Sequence, residues 1–221
     1  MSLKVRDTPS PNFNARKRPL SLVVLHYTGM KTGAAALARM CDPEVSVSAH
    51  YMVEEDGGVC RLVAEAMRAW HAGVSYWRGE RDVNSASIGI EIVNGGHDFG
   101  LPGFPAVQIE AVTELVRDIM GRHGIAPRDV IGHSDVAPGR KTDPGEKFPW
   151  PQLAASGAAL ALPDARAEGE PEALLERIGY GLEPGLEAVV EAFQRRWRPG
   201  RVDGALDAET RALIARVASA S

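Results

Sequence analysis

Residues 20–27 (LSLVVLHY) form a short, β-branched apolar run ending near His26, the pattern of a buried strand whose last side chains reach a sheet edge. Thr32 is placed to cap a helix over 33–40, with Leu37 and Met40 inward and Asp42-Pro43 as its stop. Residues 49–54 and 59–63 then alternate around Glu55-Asp56-Gly57-Gly58, a hairpin signal with glycines ready for positive φ. Along SIGIEIV (87–93) the period of two puts Ile88, Ile90 and Ile92 on one face and Gly89, Glu91 and Val93 on the other. Glu91 is therefore a carboxylate set into a strongly apolar strand. Ile109, Val112, Val116 and Ile119 recur at helical spacing between Pro105, a favourable first helical residue, and Gly124, a C-terminal stop. Val130 to His133 predicts one more short strand. After it, 134–149 is a Pro-, Gly- and charge-rich loop, too polar for a core and long enough to build a site.

Residues 157–171 (GAALALPDARAEGEP) are small, punctuated by Pro and Gly, and acidic at their end, which predicts a linker. Beyond it, apolar positions at helical spacing predict three short helices, over 172–179, 185–197 and 208–218, the last capped by Asp207. The chain thus divides into a unit over 1–156, the linker, and a small helical unit over 172–221. Its 221 residues, 44% hydrophobic and 24% charged, supply one full core and a minor second one. A net charge of -4 gives no electrostatic reason to expect nucleic acid as a partner. The apolar runs fall short of the roughly 20 residues of a membrane span, and no leader is visible, which favours the cytoplasm, with the periplasm or cell envelope as the alternative if a leader has been removed. Cys41 and Cys60 are too few for a disulfide scaffold and read as free thiols.

His133 and Asp143 flank the polar loop, with Lys141 two residues before the aspartate. Two imidazoles and one carboxylate suffice to hold a catalytic zinc that keeps a fourth position for water, and His26 at a strand end is the best third contributor. The competing reading leaves these histidines as ordinary polar groups at strand ends. Glu91 is open in the same way, either paired to an arginine or acting as a general base whose pKa burial has raised. Lys141 is a solvated loop charge or, beside a zinc, a group that stabilises an oxyanion.

Four ordered stretches, VVLHYTG (23–29), VSAHYMVEEDG (47–57), AWHAGVSYWRGERDVNSASIGIEIVN (69–94) and IGHSDVAPGRKTDPGEKFPW (131–150), closely resemble the type 2 N-acetylmuramoyl-L-alanine amidases, relatives of the peptidoglycan-recognition proteins and of phage amidase-type lysozymes. The resemblance spans roughly residues 4–155. It implies an α/β fold, a mixed central sheet flanked by helices, with substrate in a groove walled by loops near 70–85 and 134–148. It further implies that His26, His133 and Asp143 bind Zn²⁺, that Glu91 is the catalytic acid/base, and that Lys141 polarises the scissile carbonyl or holds its oxyanion. His50 is expected to support the site without ligating. His71 and Trp70 are expected to meet the sugar or stem peptide, with core packing as the alternative for Trp70; Tyr27 and Arg61 are weaker substrate contacts. His97 and His123 are expected to be exposed.

The helical unit resembles the small three-helix peptidoglycan-binding domain found beside cell-wall hydrolases. It is expected either to bind wall or to pack as a cap on the amidase. The activity implied is hydrolysis of the amide between N-acetylmuramic acid, or its 1,6-anhydro form, and L-alanine of the stem peptide, by a monomer acting on peptidoglycan fragments or polymer. A non-catalytic peptidoglycan sensor and an unrelated zinc hydrolase are the rivals. The longest matching stretch is closest to the recycling enzymes that act on anhydro-muropeptides, whereas the helical unit suggests polymeric wall.

Overall fold

The computed structural model describes residues 3–220. The apolar run near residue 22 forms β3 (Leu22–Tyr27), which lies between β7 (Ser87–Ile92) and β8 (Val130–Gly132), parallel to both. On the other side of β7 stand β4 (Tyr51–Val53), parallel to it, then β5 (Val59–Arg61), antiparallel to β4, and β1 (Val5–Asp7) at the edge. The sheet order is β1-β5-β4-β7-β3-β8, so it is mixed and its central strands are parallel. A separate ribbon pairs β2 (Phe13–Ala15) with β6 (Met67–Ala69). The predicted hairpin forms, with Gly57 at φ +83° in its turn.

Alternation along the strands divides the core into layers. Val23, Leu25, Ile88, Ile90 and Ile92 face the long helix α3 (Ala106–His123) and meet Ile109, Val112, Val116 and Ile119 in one cluster. Each such fully buried side chain contributes about 1.5–3 kcal/mol. Pro105 precedes this helix with an extended ψ of 142° instead of opening it, because the chain turns in one residue later, and Gly124 ends it in the left-handed region at φ +67°. On the opposite face, α1 (Gly33–Cys41) covers Met52 and Cys60. Its cap is the predicted one, with Thr32 Oγ1 accepting from the Ala35 amide at 3.2 Å.

The remainder of that second face is covered by the three C-terminal helices, α6 (Pro171–Ile178), α7 (Leu186–Trp197) and α8 (Ala208–Ala218). Their apolar side chains share one cluster with Leu22, Val24, Trp77, Val83, Ile131 and Val136. Within the stretch read as a linker, Ala158 and Ala159 are buried with the α3 core, and Leu160, Leu162 and Ala167 pack toward the C-terminal helices. Two polar side chains also cross: the Tyr180 hydroxyl donates to Asp135 at 2.6 Å, and Arg196 donates to the Val130 carbonyl at 3.0 Å. Removing that buried hydroxyl leaves a carboxylate oxygen without its donor. Tyr180→Phe is expected to lower stability by about 1–3 kcal/mol, read as an earlier urea midpoint with an unchanged slope.

Candidate metal centre

His26, the fifth residue of β3, belongs to the face of Leu22 and Val24, and its register partner Glu91 lies on the same face of β7. Both stand near the carboxyl ends of parallel strands, where open α/β sheets form ligand crevices. His133 does not end β8 as the sequence predicts. It opens the single helical turn α4 (His133–Val136), because Asp135 reaches back to accept the Gly132 amide at 2.8 Å and bends the chain there. The Ser134 amide donates to the Asp143 carbonyl at 2.9 Å, tying the far end of the polar loop to this turn.

These constraints bring three side chains together. His26 Nδ1 lies 2.9 Å from His133 Nδ1 and 2.9 Å from Asp143 Oδ2, and His133 Nδ1 lies 3.0 Å from the same oxygen. Relative exposures of 1%, 3% and 6% shut out bulk water. His133 Nε2 approaches the Ala72 carbonyl at 3.0 Å; a carbonyl only accepts, so that nitrogen carries the ring proton and His133 Nδ1 is left with its lone pair. Two ring nitrogens and a carboxylate oxygen converging in a buried space make a donor set that suits a divalent metal. Burial, followed by the neighbouring His133, lowers the pKa of His26 to about 4 against the opposing pull of Asp143. Burial opposes ionisation of Asp143, yet the neighbouring His133 and His26 outweigh it and hold its pKa far below the usual carboxylate range.

Among the described residues Glu91 has no arginine partner. Its Oε2 is buried without any hydrogen bond among the described residues, and burial, reinforced by the Asp143 charge, raises its pKa well above the ordinary value. The Lys141 ammonium is close enough to offset part of this shift. Above Glu91 a groove of about 360 Å³ is lined by Thr28, Met30, Ala36, Arg39, Met40 and Val47.

The other expected contacts are placed differently. His71 is 6% exposed and stands behind His26, its Nδ1 3.0 Å from His26 Nε2 and its Nε2 3.2 Å from Ser87 Oγ, so protein takes both of the ring nitrogens expected to meet substrate. Trp70 is half-buried, donates from its indole to Asn14 at 2.9 Å, and does not line the groove above Glu91. Tyr27 braces the loop, its hydroxyl 2.9 Å from Thr142 Oγ1 and 3.0 Å from His97 Nδ1. His50 accepts the Gly89 amide at 2.9 Å and is not among the ligands. His97 is exposed as expected, whereas His123 is part-buried, and each meets a glutamate, Glu146 and Glu65 respectively.

Arg61 lies on the wrong face for a substrate contact. It pairs across the hairpin with Tyr51, which faces the α3 core alongside Ile90, whereas the Glu91 face carries Met52 and Cys60. Its guanidinium is exposed and bonds Asp7 at 2.7 Å. Arg61→Ala is expected to leave kcat/KM unchanged and to move stability by no more than about 0.5 kcal/mol, checked by muropeptide kinetics and a thermal melt.

Comparison with known proteins agrees with this geometry. The profile of the N-acetylmuramoyl-L-alanine amidase family matches residues 16–146. The N-acetylmuramoyl-L-alanine amidase AmiD of Escherichia coli K12 is 38% identical over 227 residues, covering 88% of this chain and 80% of that one. Its structure in complex with anhydro-N-acetylmuramic acid-L-Ala-D-gamma-Glu-L-Lys superposes with a TM-score of 0.81 at 35% identity, covering 91% of this chain and 89% of that one. AmpDh3 of Pseudomonas aeruginosa gives 0.82 at 34%, covering 96% and 95%. The shorter 1,6-anhydro-N-acetylmuramyl-L-alanine amidase AmpD of Salmonella typhimurium SL1344 is 32% identical over 173 residues, which is 69% of this chain and 90% of the relative. With the His-His-Asp cluster, the neighbouring glutamate and these matches together, the chain belongs to the N-acetylmuramoyl-L-alanine amidase family.

Proposed function

We propose that this protein is a zinc-dependent amidase that hydrolyses the bond between the lactyl group of N-acetylmuramic acid, in particular its 1,6-anhydro form, and L-alanine of the stem peptide. The observation that carries the reading is the buried Glu91 Oε2, without a hydrogen bond among the described residues, beside the convergent His26, His133 and Asp143 atoms. Those three residues would hold Zn²⁺, which supplies Lewis acidity toward a carbonyl and lowers the pKa of a bound water toward 7. Glu91 takes the proton of the attacking water and returns it to the alanine nitrogen as that nitrogen leaves, a base that becomes an acid within one cycle. Its environment suits the task, because burial and the Asp143 charge make the carboxylate a stronger base than a solvated glutamate. Lys141, two residues before Asp143, places a positive charge where the carbonyl oxygen becomes anionic. The dry cluster favours that stabilisation, since charges interact more strongly away from bulk water.

The relatives named above are amidases of muramyl-L-alanine bonds, and AmiD has been seen with an anhydro-muramyl peptide. The completeness of the metal-ligand and Glu91/Lys141 set argues against a sensor that only binds. For the C-terminal helices we favour binding to polymeric wall, which would raise the effective concentration of substrate at the catalytic half. The test is product release: soluble anhydro-muropeptide should yield free stem peptide with L-alanine at its N-terminus. Intact sacculi should sediment the protein and be cleaved more slowly. No peptide release from either substrate would defeat the amidase reading, and failure to sediment would defeat wall binding alone.

A further inference from the structure

Three alternate residues of one face of β7, Ser87, Gly89 and Glu91, stand in line beneath the metal cluster, and only Glu91 has a chemical role in the reaction above. Ser87 Oγ lies 2.5 Å from the Val83 carbonyl and 3.2 Å from His71 Nε2. A hydroxyl has one proton, and a carbonyl can only accept, so Ser87 donates to Val83 and accepts from His71. His71 Nε2 therefore carries the proton. An imidazole that carries its one proton on Nε2 presents Nδ1 as an acceptor. The atom 3.0 Å from that Nδ1 is His26 Nε2, which must then be the donor.

We infer that His71, held by Ser87, is a positioning residue that fixes His26 in the tautomer with its proton on Nε2 and its Nδ1 lone pair turned toward His133 and Asp143. His133 reaches the same tautomer by a separate route, through the Ala72 carbonyl. Each ligand imidazole is thus oriented by an acceptor behind it, but the one behind His26 is itself a histidine whose role is set by a serine. A metal-ligating histidine is commonly oriented by a carboxylate, backbone carbonyl or water; here a neutral relay does the work and adds no second negative charge beside Asp143.

Gly89 shows that the strand is shaped around this ring. A Cβ at residue 89 would lie 2.4 Å from His71 Cγ and 2.7 Å from its Nδ1, closer than real carbon contacts allow. The ring is braced by His71's and Ala72's own backbone amides, both of which donate to Asn84 Oδ1, at 2.9 and 2.8 Å. It cannot back away, so a side chain at 89 would push His71 off His26.

This inference rests on the metal-centre reading of the proposed function, and its test is read without hydrolysis. Long-range ¹H–¹⁵N spectra of the full-length, metal-free protein at neutral pH should show His26 protonated on Nε2 and bare on Nδ1. His71→Asn keeps an acceptor oxygen near the old Nδ1 position and should preserve that state. His71→Leu removes the acceptor and should give a mixture of tautomers. Titrating Zn²⁺ alone against a chromophoric chelator should then show His71→Leu weaker by about 10- to 100-fold, with His71→Asn close to wild type and Ser87→Ala weakened in the same direction. A proton on His26 Nδ1 in the wild-type protein would overturn the inference, as would a folded His71→Leu variant with undiminished zinc affinity. Should His71→Leu fail to fold, the wild-type spectrum and Ser87→Ala still decide. Loss of muropeptide hydrolysis with the expected tautomer intact would count against the function and not against the relay.

Discussion

Glu91→Gln should abolish catalysis and at the same time make the protein more stable. The amide keeps the size of the side chain but can neither take a proton from water nor deliver one to the leaving nitrogen, so kcat is expected to fall by about 10²- to 10⁴-fold. The stability gain follows from the same environment. In the folded protein the Glu91 pKa is raised, by burial first and by the Asp143 charge second, so the native state favours the protonated carboxyl. Below the ordinary pKa of 4.5 both states hold the proton and Glu91 costs nothing. As pH rises past that value the unfolded chain ionises freely while the native one resists, and stability is progressively lost until the folded-state pKa is passed. An amide in place of the carboxylate removes this loss. At neutral pH the metal-free variant should be more stable by about 1 kcal/mol, the lower range for burying an unpaired polar group, which shifts Tm by roughly 2–4 °C at this chain length. The advantage should shrink toward zero near pH 4. A variant with reduced kcat but no pH-dependent gain would show Glu91 to be solvated or paired. Retained kcat would remove it from the mechanism.

The opposed effects explain how Glu91 could be read from sequence. A carboxylate among Ile88, Ile90 and Ile92 breaks the local apolar pattern, and such breaks mark positions where function overrides stability. The end of the apolar run placed His26, and helical spacing placed the α3 stripe on its core. Arg61 shows the limit of that signal. Its face depends on hairpin register, and only the pairing of Arg61 with Tyr51 reveals that it points away from Glu91. Register follows from the turn and from which partners share a core, information that residues 59–63 do not contain by themselves.

His71 departs from its expected place for a different reason. Its contact with His26 spans 45 residues, and nothing local to AWHAG predicts it. The available clue lies elsewhere, in Gly89, a glycine inside a strand interior where a close approach is a common cause. His133 falls just beyond its strand because the Asp135 side chain competes for the Gly132 amide and ends the strand early. The C-terminal helices are readable from their apolar spacing. Their packing against the sheet is not, because the small residues Gly157, Ala158 and Ala159 serve a mobile connection and a close-packed one equally well, and composition cannot separate the two.

Stripping the metal should have the opposite thermal signature to Glu91→Gln while causing a comparable loss of activity. Prolonged chelation is expected to reduce hydrolysis by about 10³-fold or more, since a metal contributes several kcal/mol to such a transition state, and added Zn²⁺ should restore it. Because the ligand atoms sit 2.9–3.0 Å apart only in the folded chain, a metal held by them would bind the native state far better than the unfolded one. At a free concentration 100 times its Kd it adds about 2.7 kcal/mol, so the melt of the stripped protein should fall by roughly 5–10 °C. His133→Ala should reproduce both losses and resist rescue by Zn²⁺, because one of the two imidazole ligands is gone. The pair of experiments thereby separates two causes of inactivity. A group that acts on protons is lost without harm to the fold, whereas a group that holds the metal is lost together with part of the stability. A protein that only sensed peptidoglycan would show the thermal changes without any hydrolysis to lose. An unrelated zinc hydrolase would show both changes while releasing no stem peptide from anhydro-muropeptides.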